Sequence, residues 1–113
     1  MGWETVRKVA LARDGGICLK CLGVATDVHH RKPKGAGGTS DPGVATGLAN
    51  LISLCRECHS DIHLHPEESY RTGYLVHSWD DPADIPLIVK PSAFYIHLTE
   101  DGDMRQVWPV SLF

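Results

Sequence analysis

The stretch Cys55-Arg56-Glu57-Cys58-His59-Ser60-Asp61-Ile62-His63 decides the reading of this chain. A CxxC cysteine pair runs directly into two histidines four residues apart. On a helix, residues i and i+4 share a face, so His59 and His63 can grip one metal ion if the segment from Cys58 to about His63 is helical. That helix must stop before Pro66, because the residue preceding a proline avoids the helical region. Pro66 suits the first turn of a further helix, with Glu67 and Glu68 at its positive end and Gly73 closing it.

Upstream, Cys18-Leu19-Lys20-Cys21 repeats the CxxC spacing. Four thiolates brought together make the soft tetrahedral donor set that zinc prefers, and two such pairs in 113 residues are a strong signal for it. Buried free thiols or a redox pair are the alternatives, but one redox CxxC has no need of the other. The 33 residues between the pairs exceed what a simple zinc ribbon uses, so the loop that zinc closes contains structure of its own. Bound zinc contributes an apparent ~10–16 kcal/mol in small zinc peptides, against ~5–15 kcal/mol for a whole domain's stability. The zinc is therefore expected to be structural and a condition of folding.

Inside that loop, residues 24–30 read as a short strand, and Leu51, Ile52 and Leu54 as a buried one. Successive side chains on a strand point to opposite faces, so one of His29 and His30 can join His59 and His63 while its neighbour cannot easily do so. Lys32-Pro33-Lys34-Gly35-Ala36-Gly37-Gly38, between the strands, is a basic loop rich in Gly and Pro. Before the first cysteine pair, Trp3, Val6, Val9 and Ala10 recur at helical spacing, so residues 3–13 read as an amphipathic helix stopped by Gly15-Gly16.

The last 40 residues change character. Asp80, Asp81, Pro82, Asp84 and Pro86 form a turn-rich joint, after which Phe94, Ile96 and Leu98 alternate with Tyr95 and His97 as a half-buried strand does. Asp101-Gly102 is a hairpin signal before a second strand near Val107 to Val110. Trp3, Phe94 and Trp108 are expected in the core, and His65, His77 and His97 outside the site.

Length makes residues 1–113 one domain. Charge is uneven: residues 1–65 hold eight Lys/Arg against six Asp/Glu, and residues 66–113 hold three against eight, which together give the net -3. A polyanion contact is thus expected in the first segment, with the acidic tail facing away. No signal-peptide pattern and no apolar run near the roughly 18 residues of a membrane span are present, so a cytoplasmic, reducing compartment and no membrane association are expected.

Val28-His29-His30, Asn50, Cys58-His59 and His63 together resemble the HNH endonucleases with a ββα-metal core. His29-His30-Arg31-Lys32-Pro33 and His59-Ser60-Asp61-Ile62-His63 also resemble stretches of the colicin DNases, and the flanking CxxC pairs are similar to zinc-containing HNH proteins often encoded by bacteriophages and prophages. The resemblance covers about residues 13–65. It implies an α+β fold: a ββα-metal (His-Me finger) core stapled by a zinc held by Cys18, Cys21, Cys55 and Cys58, with an N-terminal helix and a C-terminal β-hairpin extension over residues 76–113.

Position by position, the resemblance implies that His29, His59 and His63 bind one catalytic divalent metal and that His30 is the general base for the attacking water. Asn50 ties the two halves of the motif through backbone hydrogen bonds. An all-imidazole set admits Mn²⁺, Ni²⁺, Co²⁺ or Zn²⁺ beside Mg²⁺. Arg31, Lys32 and Lys34 are expected at phosphates, which position a strand without reading its bases. The implied substrate is nucleic acid, with DNA favoured and weak sequence specificity, in a bacterial host cytoplasm with phage terminase or packaging proteins as partners. Two other readings use the same residues: a zinc-dependent DNA-binding module that does not cut, and a packaging assembly factor that docks through its acidic tail.

Overall fold

The computed structural model describes residues 2–33, 42–89 and 94–107. Helix α1 (Trp3–Arg13) leads to strand β1 (Asp27–His30), a single helical turn α2 (Pro42–Ala45) and a 3-10 turn (Leu48–Asn50). Strand β2 (Leu51–Leu54), helices α3 (Arg56–Leu64) and α4 (Pro66–Thr72), a 3-10 turn (Pro82–Asp84) and strands β3 (Leu87–Val89), β4 (Phe94–Leu98) and β5 (Met104–Val107) complete it. The fold is α+β, with β1 and β2 forming one antiparallel ribbon and β3, β4 and β5 a second antiparallel sheet in that order.

The ribbon and α3 make the ββα unit that positions the histidines. Leu51, Ile52, Ser53 and Leu54 are all buried, and β1 pairs with them in the register Asp27 with Leu54 through His30 with Leu51. Helix α1 closes one side, burying Val6 and Ala10 against Leu48 and Leu51. Its last residue is bolted down: the Arg13 guanidinium donates to the carbonyl of Leu48 and to both carboxylate oxygens of Asp14, whose Oδ2 also accepts from the Ser53 N–H at 2.9 Å.

The strand expected over residues 24–30 begins at Asp27, with Val24 held instead in an isolated bridge to Ile17. Gly73 ends α4 in the left-handed region at φ 89°, where a side chain would collide with the Pro86 carbonyl, so glycine is required there by both conformation and space. In the tail, the hairpin turns at Gly102 as its sequence signals, but β5 starts at Met104 rather than near Val107, because Thr99 and Asp103 already pair across the turn. Residues 108–113, including Trp108, lie outside the described residues. The hairpin is joined by β3, whose Leu87-Ile88-Val89 is too short a run to show a period.

The main core gathers Ile52, Leu54, Ile62, Leu75, Leu87 and Leu98, so that ribbon, α3 and tail sheet share one interior. Tyr74 spans it: the hydroxyl lies 2.9 Å from the Leu19 carbonyl and 2.6 Å from that of Ile88. Among the described residues no helix is long and apolar enough to cross a membrane.

Candidate metal centre and histidine site

Two ligand clusters lie on either side of the start of α3. The sulfurs of Cys18, Cys21, Cys55 and Cys58 all lie within 4.8 Å of one another, with Cys21 Sγ and Cys55 Sγ at 3.8 Å. A tetrahedral zinc with Zn–S of about 2.3 Å has S···S edges of about 3.8 Å, so the donor set and its spacing fit zinc. Backbone N–H groups of Cys21 and Cys58 point back at the sulfurs of Cys18 and Cys55, the arrangement of two tight knuckles. Burial alone would push the Cys18 thiol up, but surrounding N–H donors outweigh it and bring the thiol down to about 7, which favours the ligating thiolate.

His59 and His63 leave α3 on the turn beyond Cys58, and the end of β1 supplies His29. Their ligand nitrogens lie within 4.8 Å of one another, and their ring centroids make a triangle of 5.0, 5.6 and 5.6 Å. His29 Nε2 donates to the Tyr74 carbonyl at 2.8 Å, which leaves Nδ1 for a metal. Burial holds its pKa down at about 3, so the ring is neutral. His59 is turned the other way: Nδ1 donates to Asp27 Oδ2 at 2.9 Å, leaving Nε2. Such partners fix the tautomer and orientation of a ligating imidazole. Exposure rises from buried His29 through half-buried His59 to exposed His63, so the cluster is open on the His63 side. Three convergent imidazoles fit a borderline transition metal.

His30 stands beside this triangle but is not one of its three convergent histidines. Its Nε2 donates to the Ala45 carbonyl at 3.0 Å, making Nδ1 the basic nitrogen, and its ring stacks on Trp3 at 5.1 Å between centroids and 19° between planes. Trp3, expected in the core, is 39% exposed and covers this histidine instead. The helix face that sequence periodicity assigned to the interior is buried only from Val6 onward. Val28, His29, His30, Pro33, His59 and His63 together line a shallow depression of about 210 Å³.

Asn50 is fully buried, and its side chain binds Lys32 twice, accepting from its N–H at 2.7 Å and donating to its carbonyl at 3.1 Å, while also donating to the Val44 carbonyl at 3.0 Å. It joins the segment after β1 to the one before β2, next to His30.

Arg31 overturns its expected role at phosphate. The side chain is completely buried and donates to the carbonyls of Gly73, Ala49, Pro82 and Ile85 at 2.6–3.1 Å. Adjacent residues on an extended segment alternate faces, so the basic run cannot face solvent as a whole. Burial, with Arg13 nearby, lowers the Arg31 pKa to about 10, which leaves it charged at neutral pH. Lys32 is half-buried and its Nζ donates to the Asp80 carbonyl at 2.9 Å, and Lys34 lies outside the described residues.

Sequence reasoning missed Asp27. It accepts from His59 and from the guanidinium of Arg56 at 2.9 Å, and Arg56, with His59 and Thr26 behind it, holds the carboxyl down at about 2. The signal was present: Asp27 and His29 are i and i+2 on one strand and so share a face. The Tyr74 and Ala45 carbonyls were invisible, because a main-chain acceptor leaves no mark on sequence.

The HNH endonuclease family model matches residues 16–64, which include both cysteine pairs, β1, Asn50, β2 and α3. Residues 16–64 are thus similar to the HNH endonucleases over somewhat less than half of the chain. No curated protein and no solved structure matches the chain. Within the matched segment lie all the residues of both clusters, whereas Trp3 on His30 and the Tyr74 carbonyl on His29 come from outside it.

Proposed function

We propose that this chain is a metal-dependent endonuclease that hydrolyses phosphodiester bonds of DNA with weak sequence specificity. The observation that carries the reading is the convergence of the His29, His59 and His63 nitrogens within 4.8 Å, with His30 oriented separately beside them. His29 and His59 would hold the ion through Nδ1 and Nε2 respectively, and His63 would complete the protein's share of ligands. When bound, a divalent ion there supplies positive charge for the phosphorane and for the departing 3′ oxygen. Zn²⁺, Ni²⁺, Co²⁺, Mn²⁺ and Mg²⁺ are the ions to compare.

His30 Nδ1 takes the proton from the attacking water. The P–O3′ bond breaks as the new P–O bond forms, and the departing 3′ oxygen takes a proton from solvent, giving 5′-phosphate and 3′-hydroxyl ends. Ala45 and Trp3 hold the ring that accepts the proton, and Asn50 fixes the backbone that follows it. Lys34 contributes a phosphate contact, and with Arg31 withdrawn into the core and Lys32 Nζ drawn to the Asp80 carbonyl few cations remain to read or grip a duplex. Cys18, Cys21, Cys55 and Cys58 hold a structural zinc. A setting in phage DNA packaging or processing, in a bacterial host cytoplasm, rests on the resemblance of the paired CxxC motif alone.

The deciding experiment is cleavage of supercoiled plasmid across those five ions, with His30→Ala as control. Metal-dependent nicking that is lost in His30→Ala is expected, and wild-type rates in the variant would overturn the assignment of the base.

A further inference from the structure

Tyr70, His77 and Trp79 form a column of parallel rings that the site described above does not use. Tyr70 and His77 stack at 4.0 Å with planes 2° apart, and His77 and Trp79 at 4.4 Å with planes 5° apart. Tyr70 roots the column in the main core. Trp79 ends it, 77% exposed, on a turn closed by the Asp80 N–H donating to the His77 carbonyl at 3.0 Å. One face of the indole lies on His77 and the other meets solvent. A large aromatic face held rigidly in water has already lost its conformational freedom, the condition under which stacking a ligand on it is favourable.

Main-chain bonds tie the column to the histidine site. Tyr74, whose carbonyl holds His29, is five residues before Trp79, a span of at most about 18 Å. The Val76 N–H donates to the Arg31 carbonyl at 2.8 Å, and Lys32 Nζ reaches the carbonyl of Asp80, next to the indole. The adjoining cleft, about 390 Å³, is lined by Lys32, Val44, Trp79 and the carboxylates of Asp80, Asp81 and Glu100. Three carboxylates against one ammonium disfavour a phosphate in that cleft, so a nucleic acid meets this surface through a base and turns its backbone outward.

We propose that Trp79, held by His77 and Tyr70, is a stacking platform for one unpaired nucleobase of the substrate strand. The inference rests on the nuclease reading and names the substrate form: a base inside a duplex has both faces covered, so the platform takes single-stranded or locally opened nucleic acid. Because the contact is stacking, it adds affinity without adding a phosphate contact.

The test is equilibrium binding by fluorescence anisotropy to the zinc-loaded full chain without added divalent metal. The probes are a short oligo-deoxyadenylate and an abasic strand of the same length, which carry the same phosphates. The wild type is expected to prefer the strand with bases by about 5- to 150-fold, the range of one base–aromatic stack. Trp79→Ala should abolish the preference and leave the salt dependence unchanged, Trp79→Phe should keep part of it, and His77→Ala should weaken it by freeing the indole. Equal binding of both strands by the wild type, or a preference that survives Trp79→Ala, overturns the platform. If a metal-dependent cut is seen alongside equal binding, only the platform fails. If neither strand binds and plasmid is not cut, the nuclease reading fails with it.

Discussion

The cysteine cage and the histidine triangle meet at the start of one helix, yet they depend on the fold in opposite ways. Cys55 caps α3 and Cys58 and His59 are consecutive on it, so the same helix completes both. The cage brings four cysteines from two knuckles, a set that would fill a tetrahedral zinc and leave no position for anything else. The triangle brings three histidines, two of them oriented from behind by Tyr74 and Asp27, and opens towards solvent at His63. One cluster therefore creates the scaffold on which the other is displayed. Damage should propagate from cage to triangle and not back.

The harshest way to break this asymmetry is Cys58→Ala. Losing a zinc site that contributes an apparent ~10–16 kcal/mol should exceed the domain's stability, so the variant should lack zinc by elemental analysis and show no cooperative melt by circular dichroism. A variant that melts like the wild type would show that the cage is not what holds α3. The complementary change, His30→Ala, should slow cleavage by about 10²- to 10⁴-fold while zinc content, melting and metal binding at the triangle stay as they were. Loss of metal in His30→Ala would mean that the two adjacent histidines have exchanged roles.

Asp27→Asn sharpens the comparison further, because the cage has no equivalent of this carboxylate. Titration calorimetry with Co²⁺ or Ni²⁺ should find the triangle's affinity reduced by about 10- to 100-fold. Melting should change little, since Arg56, the other partner of Asp27, is 79% exposed and such a pair contributes little. Unchanged affinity would reduce Asp27 to a surface partner of Arg56.

The smallest effect is one of acidity. The His29 pKa falls from an ordinary 6.5 to about 3 in the folded chain, so folding favours the neutral ring. Its contribution is fully present above pH 6.5 and is lost as pH falls towards 3, at up to about 1.4 kcal/mol per pH unit. His29→Gln keeps an N–H donor and does not titrate. With the triangle metal-free, the difference in stability between wild type and His29→Gln should shift across that window. Thiolate protonation is common to both chains and cancels. A difference that is flat with pH would mean that the wild-type ring is already protonated or exposed.

The ligands of both clusters could be picked out from sequence because ligation demands particular side chains at spacings set by helix and strand geometry. Helix α3, which carries Cys58, His59 and His63, and the neighbouring α1, β2 and α4 were legible from periodicity and from the punctuation of Gly15, Pro66 and Gly73. What could not be read was whatever depends on the main chain or on distant packing. Arg31 lies between His30 and Lys32 in a run that looks uniformly basic, and only the approach of the Gly73, Pro82 and Ile85 carbonyls shows that its charge faces inward. Strand β3 was hidden by brevity, and the Tyr70–His77–Trp79 column by the irregular backbone that assembles it.

The Arg31 clamp also sets the limits of what can be transplanted. The guanidinium sits next to the proposed base, yet three of its four carbonyl acceptors come from residues 73–85, beyond the matched domain. A cassette cut at the motif's boundary and grafted into another protein would carry every ligand and still lose these acceptors, together with the carbonyl that aims His29. The portable unit extends at least to Ile85, and shuffling or minimising this chain means moving the wrapping with the motif.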